Sequence, residues 1–133
     1  MAFASLRYLI DLIEGKKQAV PQQPWTVAPS DLFADSVAAI QKTFPDIKEK
    51  IEKFIQVKLP NPLDPSARYG KHDRPMVHAL AGLLHCHLRD DAILIYDLRG
   101  RTLVMVAVVT HADIEGKRLR STANRMHGYN IAK

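Results

Sequence analysis

Residues 83–109 read LLHCHLRDDAILIYDLRGRTLVMVAVV, and this stretch decides the fold. Three short runs, Leu83 to Leu88, Ala92 to Leu98 and Thr102 to Val109, are apolar or alternating, and only RDD and RGR part them. Aliphatic runs broken at that spacing form consecutive antiparallel strands joined by tight turns. The stretch is therefore a three-stranded meander. Its geometry brings distant residues together: RDD closes one end of the sheet and RGR the other, so the last strand runs back toward RDD. It delivers His111 beside His87 and Asp91. His85 and His87 are two apart and share a face, while Cys86 points the opposite way into packing, a poor position for a nucleophile. Tyr96 reads as core.

Upstream the period changes. WTVA, residues 25–28, is a short extended segment, and Ser30 can cap a helix whose Phe33, Val37, Ile40 and Phe44 form one stripe. Pro45 punctuates, Asp46 stands at a capping position, and Ile47, Ile51, Phe54 and Ile55 make a second stripe. Two helices with so short a break form a hairpin. Leu59 to Met76 has no clean period and several prolines, and reads as a long loop. The fold class is α+β: a short first strand, a two-helix hairpin, then the antiparallel meander with the helices packed on one face.

Both ends extend beyond that body. Phe3, Leu6, Ile10 and Ile13 recur at helical spacing, so residues 2–14 form a short amphipathic helix, followed by the polar, proline-punctuated linker KKQAVPQQP. Its polar face is not strongly basic, which favours docking onto protein over a membrane surface. From Gly116 onward Lys117, Arg118, Arg120, Arg125 and Lys133 meet no acidic residue, a basic tail. The expected organisation is residues 1–24 as helix and linker, 25–116 as the folded domain and 117–133 as the tail.

The whole chain has 133 residues, 19 Lys and Arg against 14 Asp and Glu, and a formal charge of +5. That length excludes most multidomain enzymes, and the balance favours a polyanionic partner, chiefly nucleic acid. Cys86 is the only cysteine, so neither an internal disulfide nor a multi-cysteine zinc site is available. The longest uninterrupted apolar run, Leu103 to Val109, is far short of the roughly 20 residues of a membrane span, and no membrane partner is expected. The N-terminal apolar stretch is broken by Asp11 and Glu14, which argues against a secretory signal and for a cytoplasmic protein.

Five of the six histidines, His72, His78, His85, His87 and His111, fall in the loop and meander. Imidazoles with a carboxylate beside a basic surface suit cleavage of RNA by its own ribose. One group removes the 2′-OH proton, another protonates the leaving 5′ oxygen, and a cation steadies the charged phosphorane. Such chemistry requires no metal and no cofactor. The bland alternatives are that His85 and His87 make half a metal site or a solvated stripe, and that Asp91 merely shapes its turn.

HCHLRDDAILIYDLRGRTLVMVAVVTHADIEG, residues 85–116, resembles the C-terminal half of the YafQ branch of RelE-type toxins, the ribosome-dependent mRNA interferases of bacterial toxin–antitoxin pairs. His87, Asp91, Ile95-Tyr96 and His111-Ala112 stand at matching spacing, and WTVAPSDLFADSVAAIQK with DIKEKIEKFIQ resembles the first strand and two helices. The resemblance covers Trp25 to Gly116. It implies a RelE-like fold with His87 and His111 catalytic, Asp91 supporting them, and either His72 or His78 as a further catalytic histidine. It also implies mRNA on the ribosome as substrate and an antitoxin-like protein inhibitor as partner. RNA contacts are then expected from Arg89, Lys117, Arg118 and Arg120. Two departures stand out: Glu115 replaces an expected aromatic residue, and the approach ALAGLLHCH lacks the usual positive charge. The competing class is a non-catalytic binding module on the same scaffold, resembling the gyrase-inhibiting ParE branch or docking to RNA or protein, which has no need of the histidines.

Overall fold

The computed structural model describes residues 24–64, 66–70, 73–76 and 78–132. The amphipathic segment 2–14 and His72 lie outside the described residues. The chain forms β1 (Thr26–Pro29), α1 (Phe33–Gln41), α2 (Ile47–Lys58), β2 (Arg74–Pro75), β3 (Leu84–Arg89), β4 (Ala92–Arg99), β5 (Thr102–Val109) and α3 (Leu119–His127). The strands make one five-stranded sheet in the order β1-β5-β4-β3-β2. β3, β4 and β5 are the antiparallel meander read from the sequence. β1 lies parallel to β5, which makes the sheet mixed. Gly100 turns β4 into β5 with φ at +59°, a conformation glycine adopts without steric cost.

The period-two alternation sorts the meander onto two faces. Cys86, Leu88, Leu94, Tyr96, Leu103 and Met105 are buried under Val37, Ile40, Ile47, Ile51 and Phe54 of the helix hairpin. These are the stripes that the sequence assigns to α1 and α2. The helix starts differ in detail from simple caps. Ser30 accepts the Leu32 N–H at 3.0 Å and donates to the Val106 carbonyl at 2.5 Å, so it shapes the turn into α1 and ties that turn to β5. Ser36 accepts the Val108 N–H at 3.0 Å. The two serines thus hold backbone groups of β5 where the β4–β5 register shifts. Asp46 makes no capping bond; its carboxylate faces Arg89 at 3.5 Å.

The second face carries Ile93, Ile95, Val104 and Val106, and the chain after Gly116 covers it. Residues expected as a basic tail form α3, whose Ala123 and Met126 are buried against that face together with Tyr129. The physical reason is the spacing of Leu119, Ala123 and Met126, an apolar stripe set among basic residues. Helices therefore lie on both faces of the sheet, the predicted hairpin on one and α3 on the other. Tyr129 seals the far end by donating to Asp97 at 2.8 Å, with Arg99 stacked 4.3 Å from its ring.

The long segment after α2 is pinned rather than loose. Lys58 and Asp73 form an ion pair at 2.5 Å with side chains 7% and 2% exposed. Tyr96 donates its hydroxyl to the same carboxylate, and the Tyr69 N–H donates to it at 2.7 Å. Phe54 packs edge-on against both tyrosine rings. Tyr96 is core, as its alternation indicates, with its polar end satisfied. Every buried side-chain donor and acceptor among the described residues has a partner, as isolated polar groups in a core would be costly.

Candidate active site

Asp90 and Asp91 form the turn between β3 and β4, and β5 returns to that end with Ile93 paired to Val109. The strand then stops in a short 3₁₀ turn, His111–Ile114, because Thr110 and Asp113 form a reciprocal capping box. The Thr110 N–H and hydroxyl donate to Asp113 at 3.0 and 3.1 Å, and the Asp113 N–H returns to the Thr110 carbonyl at 3.1 Å. This box fixes the first residue of the turn, His111. Asp91 then clasps it twice, accepting the His111 backbone N–H and meeting Nδ1 of the ring, both at 2.8 Å. The backbone hydrogen bond, then the ring contact, hold the Asp91 carboxyl below its ordinary pKa. An ionised Asp91 keeps the proton of a neutral imidazole on Nδ1 and leaves Nε2 free.

His87 projects from β3 onto the same end. Its ring lies 5.5 Å from that of His111, nearly perpendicular, and 6.0 Å from that of His85. The structure thus brings His87, Asp91 and His111 together, and continues the row inward through buried His85. Nδ1 of His85 lies 3.0 Å from the Arg74 carbonyl on edge strand β2. Asp73, anchored by Lys58, immediately precedes that carbonyl. The row is consequently graded from a buried, backbone-held imidazole to a half-exposed one at the turn. His111 and Asp91 keep 44% and 53% of their side chains exposed, so a large substrate can reach them.

The remaining residues singled out from the sequence fall elsewhere. His78 starts a short 3₁₀ turn with φ at +57° and is exposed; among the described residues it makes no ring contact or hydrogen bond with His85, His87 or His111. Arg89 sits on the helix side, between Asp46 and the ring of Phe44. Arg118 pairs with Asp113 at 3.2 Å, two residues beyond His111, while Lys117 and Arg120 are exposed at the start of α3. His127 contacts the Ala79 carbonyl at 2.8 Å and ties α3 to the turn that bears His78. Glu115 is exposed between the 3₁₀ turn and α3. Cys86 is fully buried on the opposite face, where burial first and Asp73 second push its thiol pKa well up. Among the described residues no three His, Cys, Asp or Glu side chains are disposed to hold a metal ion.

Sequence reasoning missed the Lys58–Asp73–Tyr96 link and the support it gives β2. Neither Lys58 nor Asp73 stands out in a polar loop and a helix end; their pairing is a property of the tertiary structure alone. No helix among the described residues is long and apolar enough to cross a membrane.

No protein-family model matches the chain, and no curated protein matches it. Solved structures do. YafQ from E. coli strain BL21(DE3) superposes with a TM-score of 0.56 and 27% identity, covering 69% of this chain and 99% of YafQ. The E. coli DinJ-YafQ toxin-antitoxin complex matches at 0.56 and 27% identity, covering 70% of this chain and 99% of that one. A YoeB/ParE toxin from Agrobacterium tumefaciens, 18% identical, shares the fold at 0.52 over 65% of this chain and 98% of its own. Nearly a third of this chain has no counterpart in these compact proteins. The chain has the RelE/ParE-like toxin fold, and within it stands close to YafQ.

Proposed function

We propose that this chain is a toxin-like endoribonuclease that cleaves mRNA on the ribosome by histidine acid–base chemistry. The observation that carries the reading is the clasp of His111 by Asp91 with the ring of His87 at 5.5 Å. Two imidazoles at that separation can address one phosphodiester from two sides. His87 and His111 divide the work: one takes the 2′-OH proton as that oxygen attacks phosphorus, and the other protonates the departing 5′ oxygen. The products are a 2′,3′-cyclic phosphate and a 5′-hydroxyl end, and no metal is needed. Asp91 orients His111 through its backbone N–H and its ring Nδ1. The rise of Lys117, Arg118 and Arg120 beside the same turn supplies positive charge for flanking phosphates, with Arg89 at the other side of the hairpin. His72 and His78 remain candidates for a further group contributed by the loop. By analogy with the DinJ-YafQ pair, an antitoxin-like protein restrains the activity in the cytoplasm.

The test is induced expression of the wild type and His111→Ala in a bacterium, with growth followed and new mRNA 5′ ends mapped. Growth arrest with in-frame cuts from the wild type alone is the expected result. Identical behaviour of the two, with no new ends, overturns the enzyme and leaves a binding module that acts on gyrase, RNA or protein.

A further inference from the structure

An apolar groove of about 610 Å³ runs between the helix hairpin and edge strand β1, on the side of the sheet away from the histidines. Val27, Pro29, Phe33, Val37, Ile51 and Ile55 line it. Ile55 also lines a second depression, with Pro24, Trp25 and Leu59, so the two are continuous along α2. Val27 remains 39% exposed, although it faces other apolar side chains. Pro24, the first described residue, lies on the rim of this surface. Everything upstream therefore starts from the end of the groove.

We infer that the groove is the docking site of the chain's own residues 2–14, folded back over it. The apolar stripe Phe3, Leu6, Ile10 and Ile13 matches a groove of this kind, and a helix of that length would span about 20 Å. Gly15 to Gln23 supplies nine residues, which reach about 30 Å when extended. That exceeds the roughly 18 Å length of α2, so the connection closes easily. Charge fixes the direction. Lys48 and Glu52 stand on the groove rim one helical turn apart, and among the described residues neither forms an ion pair. Arg7 and Asp11 have the same spacing. Antiparallel to α2, Arg7 meets Glu52 and Asp11 meets Lys48; in parallel, like charges would meet. The antiparallel direction also leaves Glu14 at the start of α2 and lets the linker return to Pro24 at its far end. Docking leaves the histidine row open, so it stabilises the helix layer without closing the candidate active site.

Hydrogen exchange on the full-length chain, under conditions shown to be monomeric by sedimentation, tests this inference. Amides of residues 5–14 are expected to exchange at least about tenfold more slowly than in the free peptide, because a helix this short is marginal alone. Ala38→Arg, at an exposed position on the groove wall, is expected to abolish that protection while leaving exchange in α1, α2 and the sheet unchanged. Glu52→Arg should weaken it and the added change Arg7→Glu should restore it. Free-peptide exchange rates in the intact monomer overturn the proposal. So does protection that rises with concentration, which would make a second copy the occupant, or protection that appears only when another protein is added. Because the readout is structural and distant from His111, its failure is distinct from failure of the ribonuclease reading.

Discussion

Two polar constellations lie on opposite faces of one sheet, and they behave as different kinds of object. On the helix side Lys58, Asp73 and Tyr96, with the Tyr69 N–H, form a closed knot around one buried carboxylate. On the other side Asp91, His111 and His87 form an open row whose outer members are half exposed. Burial raises the pKa of Tyr96 and then its bond to Asp73 raises it further, so the hydroxyl stays protonated. Asp91 is shifted the other way, toward its charged form, by donors that leave it accessible. The knot has spent its hydrogen-bonding capacity on the fold; the row keeps its outer members open to solvent. The buried polar groups and the exposed imidazoles are thus kept apart by face.

The sharpest way to break this contrast is to remove one member from each side. Lys58→Met leaves the Asp73 carboxylate buried without its cation and is expected to cost about 3–5 kcal/mol in urea unfolding, enough to unfold a marginal domain. Lys58→Met with Asp73→Asn should recover more than half of that, since no unpaired charge is then buried. His111→Ala and His87→Ala should each change stability by less than about 1 kcal/mol, as surface substitutions do. A large loss of stability in the histidine variants would erase the distinction between the faces.

In RNA cleavage the order should reverse. His111→Ala and His87→Ala are each expected to lower the rate about 10²–10⁴-fold, the range of one acid–base group. Asp91→Asn should cost less, because the Asn side-chain oxygen can still accept from the His111 backbone and ring. A cleavage assay on mRNA engaged by translating ribosomes measures all three. Equal rates in every variant would show that the row is a solvated stripe.

Cys86 offers a gentler probe of the knot. Its thiol lies in the helix-side core and its pKa is pushed up by burial and by Asp73, so the thiolate fraction near pH 8 is very small. In the native wild type a thiol reagent should label it only at the rate of unfolding. The Lys58→Met variant should label faster, by about tenfold for each 1.4 kcal/mol of stability lost. Rapid labelling of the native wild type would mean that the knot opens locally, without global unfolding.

These contrasts also explain what the sequence could convey. The meander, the helix hairpin and the meeting of His87, Asp91 and His111 follow from local periods and from the reversals at RDD and RGR, because hairpin geometry carries local pattern across the sheet. The parallel seating of β1 on β5 has no such local rule. α3 was obscured by composition: Arg118, Arg120 and Arg125 dominate the segment, whereas the stripe that decides its packing is only Leu119, Ala123 and Met126. Lys58 and Asp73 were invisible because a buried ion pair between a helix end and a loop leaves no period. His85 was legible as a face-sharing neighbour of His87, but its hold on the Arg74 carbonyl depends on β2, a strand of two residues that no sequence pattern marks.

The smallest expected effect concerns the end of the sheet that α3 closes. Tyr129 has its pKa pushed up to about 12, first by burial and then by its bond to Asp97. A tyrosine with a raised folded-state value adds stability that is fully present below its ordinary value near 10 and is lost as pH rises toward 12. An ultraviolet titration should therefore show Tyr129 ionising later than exposed tyrosines, with α3 loosening between about pH 10 and 12. Tyr129→Phe removes the hydroxyl and keeps the ring under Arg99, so it should abolish that alkaline step while leaving the fold intact at neutral pH. If α3 instead loosens at the same pH in both, the contact of Arg99 with the ring, or another group on α3, holds this edge. The two faces would then differ in the chemistry at their centres but not in how their margins are sealed.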